Sequence, residues 1–140
     1  MKILFVCWAN VGRSQMAAEL YNKLTGTQDA ESAGTQVKHP GKTLSERRNR
    51  RGGTYVIDVM KEDEGIDVAE NVRTQFVEDM LDSYDKVISM AHPEYTPEWL
   101  SNHPNFIYWE VTDPMDHGAD ATRKAKQEIE GKIKELINQK

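Results

Sequence analysis

The sequence predicts a three-layer α/β/α fold on a four-stranded parallel sheet. Two observations lead there: short apolar runs alternate along the chain with amphipathic helical segments, and the first run passes through a tight loop straight into a helix. A length of 140 residues suits one domain spanning the chain, large enough to bury a core.

Lys2 to Val6 is an apolar run rich in strand formers, and a helical face of Ala17, Leu20, Tyr21 and Leu24 follows, with Gly26 placed to cap it. Ala30 to Gly34 reads as a second strand, completing a βαβ unit with a right-handed crossover. From Val37 to Gly53 the chain is polar and broken by Pro40, Gly41, Gly52 and Gly53, which predicts a long exposed loop. Val56, Val59 and Met60 mark a second helix ending near Gly65, and Phe76, Val77, Met80 and Leu81 mark a third. Lys86 to Met90 and Phe106 to Trp109 are the remaining strands. A last helix carries Ala125, Ile129, Ile133, Leu136 and Ile137 on one side and starts near Asp120.

Composition narrows the function. With 38% hydrophobic and 29% charged residues the chain reads as a soluble protein without a membrane span, and its first residues lack the core and cleavage site of a signal peptide, so a cytoplasmic location is expected. A net charge of -5 gives no general attraction to nucleic acid, although Arg47-Arg48-Asn49-Arg50-Arg51 is a dense local basic cluster. The single cysteine excludes an internal disulfide and a multi-thiolate metal site. His39, His92, His103 and His117 are scattered without ligand spacing, so no metal and no cofactor is expected.

The chemistry concentrates in Val6-Cys7-Trp8-Ala9-Asn10-Val11-Gly12-Arg13-Ser14, where a strand delivers a cysteine into a loop and an arginine opens the next helix. If the intervening residues curl into a nest, their backbone N–H groups converge on one point, and the helix adds its positive N-terminal end. A dianionic oxyanion such as inorganic phosphate or arsenate fits there. The Arg13 guanidinium can grip two of its oxygens at once, which a lysine cannot. The same positive field favours Cys7 as the nucleophilic thiolate. Gly12 permits a close backbone approach, Asn10 tolerates a left-handed conformation, and Ser14 can donate a hydrogen bond to the sulfur. Trp8 either walls the mouth of this loop or packs against the fold.

Displacing an alcohol or phenol from phosphorus also needs a proton donor for the leaving group. Asp113, in Val111-Thr112-Asp113-Pro114, follows the last strand at the edge where open α/β sheets gather their ligand sites. The dipeptide Asp-Pro also commonly starts a turn, and spacing alone leaves both roles open.

Taken in order, Cys7 to Arg13-Ser14 at the start of the chain, Ser32-Ala33-Gly34-Thr35 after the second strand and Asp113-Pro114 before the final helix resemble the low-molecular-weight protein tyrosine phosphatases and the arsenate reductases that share their fold. The resemblance covers nearly the whole chain. It implies that Cys7 is the nucleophile of a metal-free hydrolysis through a cysteinyl-phosphate, with Arg13 as phosphate and transition-state ligand and Asp113 as general acid, then base. It also implies that Trp8, Ala9, Asn10, Val11, Gly12, Arg13 and Ser14 form the phosphate loop, braced by Asn10, Ser14 and Ser32. The expected partner is a phosphorylated protein or small molecule.

The tyrosine phosphatases usually carry aromatic residues after Asp-Pro, where this chain has Met115 and Asp116. Ser14-Gln15-Met16-Ala17, Tyr108-Trp109 and Arg123 look closer to the arsenate-reductase branch. With no second cysteine, a reductase reading requires an external small thiol. A third reading is an inactive module that binds phosphorylated ligands.

Overall fold

In the computed structural model, which describes residues 1–48, 55–114 and 117–138, four strands form one parallel sheet in the order β2-β1-β3-β4. They are β1 (Ile3–Cys7), β2 (Ala30–Gly34), β3 (Lys86–Ser89) and β4 (Phe106–Tyr108). The helices are α1 (Arg13–Thr25), α2 (Leu44–Arg48), α3 (Val56–Glu64), α4 (Glu98–Ser101) and α5 (Gly118–Asn138), with 3₁₀ turns at Glu78–Ser83 and Pro93–Tyr95. Every predicted strand is present within a residue or two of its expected ends. No helix among the described residues is long and apolar enough to cross a membrane.

The register explains why β1 is apolar throughout. It lies between β2 and β3, with Val6 opposite both Ala33 and Ser89, so both its faces are covered and no polar alternation is possible. Ile3 and Phe5 point into a core shared with Met16, Leu20, Ile88, Ile129 and Ile133. Leu4 and Val6 point the other way, against Ala33, Phe76, Leu81, Val87 and Leu100. This is the alternation a strand imposes, with a helical layer on one side and shorter segments on the other. Because β1 has one neighbour that follows through α1 and another much later in the chain, the connections diverge at its C-terminal edge. That divergence opens a crevice just beyond Cys7.

Helix α1 ends as expected, with Gly26 in the left-handed conformation at φ 69° and its N–H bonded to the Asn22 carbonyl. Leu24, however, is 41% exposed, because the contact face turns away from it in the last turn of the helix. Two further expectations are corrected. Val37 to Gly53 is not wholly an exposed loop: Leu44 is buried in the main core and opens α2, anchored where the Leu44 N–H donates to the Asn71 carbonyl. The third predicted helix is a 3₁₀ turn that starts after Phe76 and Val77. Phe76 is buried and Val77 is 49% exposed, since Phe76 is held instead by a backbone bond to the Gly34 carbonyl. The turn at Pro93–Tyr95 and the short α4 have no apolar periodicity long enough to announce them. The basic cluster from Arg47 to Arg51 lies, but for the backbone of its first two residues, outside the described residues, as do Met115 and Asp116.

Helices α1, α3 and α5 are tied at one end by a largely buried ion cluster. Glu64 accepts from Lys126 Nζ at 2.6 Å and from Lys23 Nζ at 3.0 Å. Burial pushes the Glu64 carboxyl up, but the lysine hydrogen bonds and charges outweigh it and hold the group below the ordinary carboxylate range. Lys126 mirrors this, since burial lowers it and Glu64 more than restores it, leaving it raised. A depressed carboxyl contributes stability that is complete above its unfolded value, about pH 4, and is lost as pH falls through its lower folded value. The raised lysine contributes below its unfolded value, about pH 10, and loses that only as pH climbs further. Replacing Lys126 with Met is therefore expected to cost about 2–3 kcal/mol at neutral pH, because Glu64 keeps only the more exposed Lys23. The gap from wild type should narrow as pH falls from the ordinary carboxylate range toward the depressed folded value of Glu64, where Glu64 becomes neutral. Urea unfolding at pH 7 and pH 3.5 reads both, and a gap independent of pH would refute the assignment.

Candidate active site

The loop after β1 is held by one buried asparagine. Asn10 adopts φ 55°, a left-handed conformation that a short amide side chain tolerates better than a branched one. Its Nδ2 donates to Ser14 Oγ at 2.8 Å and Ser32 Oγ at 3.0 Å, while its Oδ1 accepts from the Thr74 amide at 2.7 Å. The strand-end Ser32 and the distant Thr74 thus clamp the middle of the loop. Ser14 Oγ, which accepts from Asn10, also lies 3.0 Å from Cys7 Sγ, where either group can donate to a neutral partner and only the hydroxyl can donate to a thiolate. Cys7, Asn10 and Ser14 are all buried.

Gln15 adds a brace that the sequence argument did not assign. Its Nε2 reaches the Asn10 carbonyl at 3.2 Å and the Val72 carbonyl at 3.2 Å, tying the loop to the segment that carries Thr74. Helix α1 begins here without a side-chain cap and without an acidic residue in its first turn, so its N-terminal field is not cancelled locally. Among the described residues, the amides of residues 9–12 donate to no protein acceptor.

The tight approach of the protein's own backbone to the loop is at Gly34. A Cβ on Gly12 would meet only Val56 Cγ2, at an ordinary 3.7 Å, whereas one on Gly34 would lie 2.8 Å from both the Asn10 nitrogen and the Trp8 oxygen. Both are backbone atoms of the loop and cannot swing aside. The Thr35 N–H donates to the Cys7 carbonyl at 2.9 Å and the Gln36 N–H to the Trp8 carbonyl at 2.8 Å, so β2 and its extension set the position of the loop. A glycine closing a strand is the signal that identifies such a seat from sequence. Gly34→Ala is expected to lower kcat/KM on an aryl phosphate by about 100-fold through displacement of the loop, with a stability loss of about 1–3 kcal/mol. Steady-state kinetics and urea unfolding test this, and wild-type kinetics in the variant would contradict it.

Arg13, buried, spends one end of its guanidinium on the scaffold. Nη1 donates to the Met90 carbonyl and to the Val111 carbonyl at 2.9 Å, the first just after β3 and the second on the segment after β4. Nη2 lies 3.5 Å from Asp113 Oδ2. One side chain therefore draws three strand ends together and holds the predicted proton donor beside the predicted phosphate ligand.

The family model of the low molecular weight phosphotyrosine protein phosphatases matches residues 2–140. The chain belongs to that family. It is accordingly an enzyme of the cysteine-dependent phosphatase type. A curated protein of Halobacterium salinarum, provisionally named an arsenate reductase, is 28% identical over 99% of this chain and 92% of its own length. The crystal structure of a low molecular weight protein tyrosine phosphatase from T. tengcongensis superposes with a TM-score of 0.80 over 100% of this chain and 99% of that one, at 24% identity, a likeness of fold. An arsenate reductase solved in a phosphate-binding state covers 99% of this chain and 98% of its own, with a TM-score of 0.73 and 26% identity.

Within this phosphatase fold the loop opens into a cleft of about 410 Å³ lined by Trp8, Arg13, Met90, His92, Tyr95, Tyr108, Glu110, Val111, Thr112 and Asp113. Trp8 walls that cleft, its ring 5.9 Å from Tyr95. Cys7, Asn10, Arg13, Ser14, Ser32 and Asp113, named from sequence, are thus gathered around one crevice or its support. The sequence argument missed Gln15, Thr74, His92, Tyr95, Tyr108 and Glu110. Gln15 adjoins the loop and was within reach of a local reading. The others lie on segments whose approach to Cys7 depends on the sheet order.

Proposed function

We propose that the chain hydrolyses phosphomonoesters through a cysteinyl-phosphate intermediate. The observation that carries this reading is Arg13 bridging the loop after Cys7 to the Asp113 carboxylate, with Ser14 directed at the sulfur. The Cys7 thiolate attacks phosphorus in line with the ester oxygen. The S–P bond forms as the P–O bond breaks, and the leaving oxygen takes the Asp113 proton. Loop amides and Arg13 stabilise the charge on the equatorial oxygens. Water then attacks phosphorus, gives its proton to Asp113, and the P–S bond breaks to release inorganic phosphate and the thiolate. Every proton and electron pair is accounted for by these groups, so no metal or cofactor enters the scheme. Trp8, Ala9, Val11 and Gly12 contribute through their backbone as parts of the phosphate loop.

Asp113→Asn separates proton donation from simple structural support. Loss of the acid is expected to reduce kcat by about 100-fold or more for phenyl phosphate, and much less for 4-nitrophenyl phosphate, whose leaving group needs little protonation. Equal losses with both substrates would leave only the contact with Arg13 as its role.

A second reading is arsenate reduction, favoured by the curated relative's name and by the likeness of arsenate to phosphate as a tetrahedral oxyanion. Cys7 is the only cysteine, so its arsenate adduct would need an external thiol to take it to a mixed disulfide and release arsenite, and another to free Cys7. Arsenate loss strictly dependent on added glutathione, with feeble ester hydrolysis, would select this reading. Phosphate binding with neither turnover would select a binding module.

A further inference from the structure

The cleft has two chemically different ends. At its floor stands the fixed cation Arg13; its wall is aromatic and acidic, formed by Trp8, His92, Tyr95, Tyr108 and Glu110, and no lysine or second arginine is among the described residues that line it. Tyr95 and Tyr108 are 51% and 41% exposed, so two tyrosine rings lie open at the mouth. Trp8 and Tyr95 are not parallel: their planes meet at 41° with centroids 5.9 Å apart, which makes a corner rather than a slot for a flat ring. His92 stands edge-on to Tyr95 at 6.2 Å, and its Nδ1 accepts from the Glu94 amide at 3.1 Å, which fixes the ring against the wall.

Charge balance then singles out Glu110. A bound phosphate dianion more than neutralises Arg13, the Cys7 thiolate adds a further negative charge, and Asp113 must carry a proton to act as the acid. Among the described residues of the wall, Glu110 is left as the charged side chain, beside aromatic faces that attract cations through their quadrupoles. We propose that this cleft selects phosphomonoesters whose leaving group carries an ammonium or quaternary ammonium, held between the rings of Trp8, Tyr95 and Tyr108 and the Glu110 carboxylate. The proposal rests on the phosphatase reading of the loop and specifies its substrate class.

The test uses two isosteric aryl phosphates, one bearing a para-trimethylammoniomethyl group and the other its neutral dimethylpropyl counterpart. Wild-type enzyme is expected to favour the charged ester by about tenfold in kcat/KM, the scale of one cation held by rings and a carboxylate. Added salt should erode that preference, and both Glu110→Gln and Trp8→Leu should bring the ratio toward one. A wild-type ratio at or below one overturns the proposal, as does a tenfold ratio untouched by either substitution. Binding of the two corresponding phosphonates is measured in parallel. If neither ester is turned over but the charged phosphonate still binds about tenfold more tightly, the hydrolytic reading fails while the cation selectivity stands.

Discussion

Replacing Cys7 with Ser is expected to lower turnover of an aryl phosphate by at least about 10⁴-fold while leaving inorganic phosphate able to bind. The two effects separate because they depend on different atoms. Bond formation to phosphorus needs the sulfur, whose anion the Ser14 hydroxyl supports from 3.0 Å. Anion binding needs the loop amides and Arg13, and these are positioned by Asn10, Ser32, Thr74 and Gly34 rather than by the thiol. A serine hydroxyl is not ionised at neutral pH and is a far weaker nucleophile than a thiolate. Kinetics with 4-nitrophenyl phosphate and calorimetric titration with phosphate read the two effects independently. Residual turnover within tenfold of wild type would remove Cys7 from the mechanism, and loss of phosphate binding would show that the thiol supports the loop itself.

Arg13→Lys is expected to reduce kcat/KM by about 10³-fold despite keeping the charge, in the range a single transition-state arginine contributes to phosphoryl transfer. The guanidinium does several things at once here. Its Nη1 satisfies the carbonyls of Met90 and Val111 while Nη2 reaches toward Asp113. A lysine has one nitrogen at a different depth, so it cannot hold both carbonyls and an oxyanion together, and a buried carbonyl loses its partner. The loss should therefore appear in stability as well as in rate, by about 1–3 kcal/mol. A variant within fivefold of wild type in kcat/KM would mean that point charge alone suffices.

The strand positions were legible because a central parallel strand must be apolar on both faces, and Ile3 to Cys7 carries no alternation to misread. Gly26 and Gly65 announced the ends of α1 and α3 for an equally local reason, since both take the left-handed conformation. The segment around Phe76 and Leu81 misled because two apolar pairs at helical spacing also suit an extended residue followed by a 3₁₀ turn, and the backbone bond to Gly34 chose the latter. Leu44 was hidden in a polar stretch, and its burial depends on a pairing with Asn71 that no local pattern encodes.

By itself, the sequence determined which side chains meet in the loop after β1, because Cys7, Asn10, Arg13 and Ser14 are close along the chain and a strand-loop-helix turn brings them together wherever it occurs. The tertiary structure decided everything that faces that loop: Gly34 beneath it, Asp113 beside Arg13, and the wall of His92, Tyr95, Tyr108 and Glu110. These groups meet only because the sheet is ordered β2-β1-β3-β4, which sends the ends of separate strands to one crevice. Long-range strand order is a property of how whole faces pack, and no window of residues contains it.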